Sequence, residues 1–334
     1  MATPANPQSA VFKDDWLPGP DGTQFYTRTY AAVSSARAVV VFVHGFSGHC
    51  ARYECMHGVY ATRGITVFAF DQRGFGRTAL DAEAKTGKSF YGKTSWREQL
   101  DDIDWWVKHV KDQYPALPMF LMGHSMGGAL ALAFATRSSE PPTKGTISLL
   151  SGVIASSPFI LRARPTAKHL RIIGWLLSLV FPNLVLHTPI NPNNLSHDPV
   201  RNEANASDPR IIHKGSLRIL NDMLTGGEEL LWNDYRRWPR SLPLVILHGN
   251  SDRVTSFRAS EEFFGKVNAS DKEFKPFEGG FHELAYEPDG VKERFADECT
   301  DWIAKRAGHF DRAEPSMPED GFYLRTPRPE KTAT

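Results

Sequence analysis

The stretch Gly123-His124-Ser125-Met126-Gly127 constrains this chain more than any other. It follows the apolar run 118–122 and precedes the alanine-rich pattern 129–136, so a G-x-S-x-G falls where a strand turns sharply into a helix. A turn that tight has no room for side chains at Gly123 and Gly127, so only glycine fits. The turn lifts the Ser125 hydroxyl to the top of a sheet and sets it at a helix N-terminus. Unpaired N–H groups and the helix dipole favour developing negative charge there. A glycine-rich turn carrying an ordinary serine would look the same locally, so the rest of the chain has to supply partners.

The chain around this turn alternates between strand and helix signals. Residues 11–16 and 24–30 read as a hairpin across Pro18-Gly19-Pro20-Asp21-Gly22. Residues 38–43 are continuously apolar, as a strand buried on both faces of a parallel sheet requires. A helix at 52–62, a buried strand at 66–70, a polar loop at 77–94 and an amphipathic helix at 95–113 follow. A further strand is expected at 149–155. The class is α/β, with an open, mostly parallel, doubly wound sheet.

Between 157 and 241 the alternation stops, and helical segments appear without a buried strand. Residues 168–181 are apolar nearly all round and are stopped by Pro182. Ser207-Asp208-Pro209 and Ser216 read as helix starts, the second capping a helix to about Trp232. The expected organisation is a core of 1–157 and 241–307, with a helical cap, 158–240, inserted after the sixth strand. Strands at 244–247 and 274–277 and helices at 258–267 and 290–306 complete the core. The polar, proline-bearing tail 308–334 is expected to drape on the surface or to be disordered.

A serine hydroxyl is a poor nucleophile at neutral pH; it needs a base, and the base needs an orienting carboxylate. The loop after the 244–247 strand contains Asp252, and the loop after 274–277 contains His282. Either alone reads as an ordinary loop residue. Together with Ser125, in the chain order Ser, Asp, His and each at a strand end, they read as a catalytic triad. The oxyanion of a tetrahedral intermediate would take the Met126 N–H, just after the nucleophile, and the Phe46 N–H from the loop His44-Gly45-Phe46. His44 reads as a residue tying loops together, and His124 as a packing or hydrogen-bonding residue inside the turn.

Lys plus Arg number 39 and Asp plus Glu 38, which removes the electrostatic case for a nucleic-acid partner. Cys50, Cys55 and Cys299 have neither a paired framework nor metal-ligand spacing. With no apolar leader at 1–10 and no run as long as a membrane span, the expected setting is the cytoplasm.

These motifs, together with Arg52-Tyr53-Glu54 and Asp71-Gln72-Arg73-Gly74-Phe75-Gly76, make residues 10–307 resemble an α/β-hydrolase of the monoacylglycerol lipase family, closest in appearance to its fungal members. The resemblance implies a serine hydrolase that releases glycerol and fatty acid from long-chain monoacylglycerols through an acyl-enzyme. It makes Ser125 the nucleophile, His282 the base, Asp252 its orienter, and Phe46 and Met126 the oxyanion donors, with no metal or organic cofactor. A lysophospholipase or broad carboxylesterase is the alternative, followed by an acyltransferase and a non-catalytic ligand-binding homologue. Many relatives carry a glutamate at the position of Gly48, near where glycerol hydroxyls are handled; this chain offers no side chain there. The apolar segment 168–181 would line an acyl tunnel and touch a membrane or lipid-droplet surface, with Lys168 and Arg171 towards headgroups.

Overall fold

The structure, a computed structural model, describes residues 11–308. The expected tail beyond Gly308 lies outside the described residues. The strands are β1 (Lys13–Pro18), β2 (Gln24–Tyr30), β3 (Ala38–Val43), β4 (Ile65–Phe70), β5 (Met119–His124), β6 (Leu150–Ser156), β7 (Val185–His187), β8 (Lys214–Ser216), β9 (Leu244–Gly249) and β10 (Lys272–Phe277). Eight of them form one sheet in the order β1-β2-β4-β3-β5-β6-β9-β10, while β7 and β8 pair separately. From β4 to β10 the main sheet is parallel, and the β1–β2 hairpin adds an antiparallel edge. This is the open, mostly parallel, doubly wound sheet expected.

The apolar runs behave as burial on both faces demands. In β3, Val39, Val41 and Val43 enter one core, while Ala38, Val40 and Phe42 enter the other. The first core is closed by the helices Trp96–Gln113, Met126–Thr136, Leu217–Trp232 and Phe257–Lys266, through side chains such as Trp106, Leu130, Met223 and Phe263. The second is closed by Glu54–Thr62 and Val291–Arg306, through Tyr60 and Trp302. Ser216 caps its helix as expected, its Oγ accepting the Ile219 N–H.

Strand order positions the site. After β3 the chain places β4 on one side of it and β5 on the other. Loops therefore diverge from the adjacent carboxyl ends of β3 and β5, where Val43 lies beside Gly123. Such a switch point opens a crevice in doubly wound sheets.

Four local expectations need correction. The first strand runs Lys13–Pro18, two residues later than expected. The loop at 77–94 opens with a short helix, Gly76–Leu80, because the Asp71 carboxylate accepts the Arg77 N–H at 2.7 Å. Ser207-Asp208-Pro209 ends a helix, Pro199–Ser207, instead of starting one; Asp198 is the cap, accepting from Val200 and Arg201. Finally, the segment between β6 and β9 holds the strand pair β7–β8. At three residues each, its strands are too short to show a period in the sequence. The helix Lys168–Val180 in the same segment packs against Leu217–Trp232 and leaves Leu170, Ile172, Ile173, Leu176 and Leu179 at least half exposed.

Candidate active site

Ser125 begins where β5 ends, with φ +56°, a left-handed conformation that a serine adopts only under constraint. The constraint is visible on both sides. A Cβ on Gly123 would overlap the Gly127 carbonyl oxygen, and one on Gly127 would overlap that of Val43. The Ser125 N–H donates to the Ser156 carbonyl at 2.9 Å, and its own carbonyl accepts the Phe159 N–H at 2.9 Å. The side chain is thereby fixed above the sheet at the first turn of the helix Met126–Thr136.

Three loops converge on its hydroxyl. Ser125 Oγ lies 3.0 Å from His282 Nε2, and His282 Nδ1 lies 2.7 Å from Asp252 Oδ2. All three side chains are buried, so the line Ser125–His282–Asp252 runs through a low-dielectric interior. Burial by itself raises the Asp252 carboxyl. Electrostatic attraction to His282 and the hydrogen bonds from His248 and His282 outweigh it and hold the carboxyl well below the usual range. Its second oxygen is also filled, accepting the Val254 and Thr255 N–H groups at 2.7 and 2.9 Å. An ionised Asp252 fixes His282 with its Nδ1 proton towards the carboxylate, which leaves Nε2 free to take a proton from Ser125.

The turn after β3 approaches Ser125 closely: a Cβ on Gly45 would lie 3.1 Å from the Ser125 Cβ. Phe46, the next residue, lines the same cavity as Ser125. His44 holds this turn against the loop after β4. Its Nδ1–H donates to the Gly45 carbonyl at 2.8 Å, and Nε2 accepts the Gln72 N–H at 2.8 Å. Burial pushes its pKa down to about 4, so the ring is neutral and structural, as the sequence suggested. His124 likewise packs, 4.8 Å between ring centres from His282, with Nδ1 3.3 Å from Ser156 Oγ.

Two cavities meet at Ser125. The larger, about 720 Å³, is lined by Phe46, Phe159, Ile190, Leu220, Met223 and Leu224 among others. The smaller, about 40 Å³, is lined by Arg52, Tyr53, Asn205, His213, His282 and Glu283. In it Arg52 Nη2 donates to both Glu283 carboxylate oxygens at 2.7 Å. A side chain at Gly48 would start 3.1 Å from the Gly45 carbonyl and 3.3 Å from His44 Nδ1. The polar groups of this chamber come from elsewhere in the chain.

A family model described as "Serine aminopeptidase, S33" (Hydrolase_4) matches residues 34–289. The chain belongs to this family of α/β-hydrolases. A Schizosaccharomyces pombe relative is 30% identical over 313 residues, spanning 92% of this chain and 78% of its own. The Rattus norvegicus monoglyceride lipase is 29% identical, spanning 90% of this chain and 93% of its own. Among solved structures, a soluble variant of the Saccharomyces cerevisiae monoglyceride lipase in complex with a substrate analog is similar at a TM-score of 0.80. It is 26% identical, over 92% of this chain and 99% of that one.

This member of the hydrolase family also uses residues to which the sequence alone assigned no role. His248 lies near the end of β9; its Nε2 lies 3.0 Å from Asp252 Oδ2 and its Nδ1 2.9 Å from Ser260 Oγ. Thr255 Oγ1 donates to the same carboxylate oxygen at 2.7 Å. On the other side, the loop of Phe46 is tied to the segment between β6 and β9. Ser47 Oγ lies 3.2 Å from His213 Nδ1, and His49 Nε2 lies 2.9 Å from Asp208 Oδ2. Only the position of His248 at the end of a buried strand, four residues before Asp252, could have signalled its part in advance.

Proposed function

We propose that this chain is a carboxylic ester hydrolase that cleaves long-chain monoacylglycerols to glycerol and fatty acid. Ser125 Oγ attacks the ester carbonyl while His282 Nε2 takes its proton; the Phe46 and Met126 N–H groups receive the developing oxyanion. The tetrahedral intermediate collapses with loss of the glycerol oxygen, which His282 protonates. Water, deprotonated by His282, then attacks the acyl-enzyme and releases the acid and Ser125. Asp252 keeps the ring oriented and balances its transient positive charge.

The observation that carries this reading is the unbroken line from Asp252 through His282 to Ser125 at the floor of a large, apolar-lined cavity. Residues 158–240 act as the cap: they contribute Phe159, Ile190, Leu220 and Met223 to that cavity, and each methylene buried there contributes ~0.8 kcal/mol. The acyl chain takes the larger cavity, and the glycerol leaves through the smaller, polar one. The names and likeness of the monoglyceride lipases support the substrate.

The test is fatty-acid release from 1-monooleoylglycerol, dioleoylglycerol and lysophosphatidylcholine. Release from the monoglyceride at least tenfold faster than from the other two is expected. Comparable rates on all three would replace the assignment with a broad esterase, and preference for the third with a lysophospholipase.

The enzyme works at a membrane or lipid-droplet surface through the helix Lys168–Val180. None of the helices among the described residues is long and apolar enough to cross a membrane, whereas this helix leaves Trp175 48% and Leu176 50% exposed. Inserting two such half-exposed side chains contributes about 2 kcal/mol. Trp175→Ser with Leu176→Ser should therefore weaken co-sedimentation with vesicles about thirtyfold. Unchanged co-sedimentation would remove the helix from this role.

A further inference from the structure

The loop leaving β6 doubles back beside the loop that holds Asp252. Arg162 bridges Thr255 in antiparallel fashion. The Ala163 N–H donates to the Val254 carbonyl at 3.0 Å, and the Ser256 N–H donates to the Leu161 carbonyl at 2.8 Å. Arg164 and Arg253, which flank this pairing, both line the larger cavity. Like charges gathered on one cavity repel, and an anion between them relieves that repulsion.

Arg162, Arg164 and Arg253 line the larger cavity and are also exposed, which puts three guanidiniums at its mouth. Arg162 Nη1 donates to the Thr166 hydroxyl at 2.9 Å, and the Arg253 guanidinium lies 4.3 Å from the centre of the Phe281 ring. Among the described residues no carboxylate forms an ion pair with any of the three. Neighbouring arginines differ: Arg171 is paired with Glu228 at 2.6 Å and Arg210 with Asp208 at 2.7 Å. The helix Lys168–Val180, with its exposed apolar side chains, begins four residues after Arg164.

We propose that the mouth of the acyl cavity docks on an anionic phospholipid surface, with Arg162, Arg164 and Arg253 taking headgroup phosphates beside the inserted helix. The inference rests on the ester-hydrolase reading above and names the surface from which its substrate is drawn. A guanidinium presents a planar fork of donors that matches phosphate oxygens, and phosphates between Arg164 and Arg253 turn their repulsion into attraction. Guanidiniums spread along an exposed rim suit a surface bearing many phosphates, whereas a single free ion would need an enclosed site. An acyl chain leaving such a surface passes the arginines and meets Ser125 within the same cavity.

Co-sedimentation of the full chain with phosphatidylcholine vesicles, with and without phosphatidylglycerol, tests this. Wild type should partition more strongly onto the phosphatidylglycerol vesicles, and rising salt should erase the excess. In R162Q/R164Q the excess should fall about twenty-five-fold, at about fivefold per basic side chain. The variant's binding to pure phosphatidylcholine should match wild type, and wild-type hydrolysis of a short-chain soluble ester is measured alongside. Equal wild-type partitioning onto both vesicles, or a variant that keeps the excess, overturns the proposal; so does self-association of the chain in place of vesicle binding. The soluble ester separates two failures. A wild type that hydrolyses it yet ignores anionic lipid overturns the arginine rim alone, whereas one that hydrolyses no ester overturns the catalytic reading beneath it.

Discussion

Replacing Ser125 with alanine is expected to lower fatty-acid release from monooleoylglycerol about a millionfold, the size of loss that follows when a serine nucleophile is removed from a triad. Nothing nearby can replace it. The loss belongs to chemistry and not to folding, because the interactions that hold the strained turn are backbone ones. The Ser125 N–H keeps its bond to Ser156, and the Ser125 carbonyl keeps those from Phe159 and Ala129 at 2.9 and 3.0 Å. Alanine accepts the same backbone and forfeits only the hydroxyl's contact with His282. That bond contributes about 1 kcal/mol, so the melting temperature should move by a few degrees at most. Fatty-acid release and thermal melting measured on the same preparation check both halves. Turnover within a hundredfold of wild type would remove Ser125 from the role of nucleophile.

The meeting of Ser125, His282 and Asp252 was legible in the sequence because each of the three carries a local signature. Ser125 has its two glycines, Asp252 follows an apolar run, 244–247, of strand length, and His282 sits in the glycine-bearing loop after Phe277. The fold was legible for the same reason: β3, β4, β5 and β9 are buried along their whole length, which makes them short apolar runs in the sequence. What failed was chemistry whose meaning depends on distant partners. Asp198-Pro199 and Asp208-Pro209 are the same dipeptide, yet the first starts a helix and the second follows the end of one. The carboxylate of Asp208 is already occupied by His49 and by Arg210, which lies two residues on, so it has no capacity to cap. The cross-chain ties of His248 and His213, and the convergence of Arg164 with Arg253, likewise come from loops meeting at strand ends, and periodicity carries no trace of them.

Asp252→Asn should lower kcat about ten-thousandfold with a much smaller change in KM, because it inverts a proton arrangement without emptying the site. Oδ2 of Asp252 accepts from the Thr255 hydroxyl and faces both His248 Nε2 and His282 Nδ1. An amide that keeps its oxygen towards the Val254 and Thr255 N–H groups must turn its NH2 towards those donors. His282 then carries its proton on Nε2, aimed at Ser125, and cannot accept another. The same substitution changes the acid stability of the protein. The Asp252 carboxyl is held below its ordinary value despite burial, chiefly by His282 and His248. Its folded pKa is therefore lower than its unfolded one, about 3.9. The stabilisation is complete above that pH and is lost as pH falls through the folded value. Wild type should melt well above the variant at pH 7, and the gap should narrow steadily below about pH 4. A constant gap would mean that the carboxylate's ionisation contributes nothing to the folded state. In that case a loss of kcat in the variant would report displaced loops, and the roles of His248 and Thr255 would have to be measured directly.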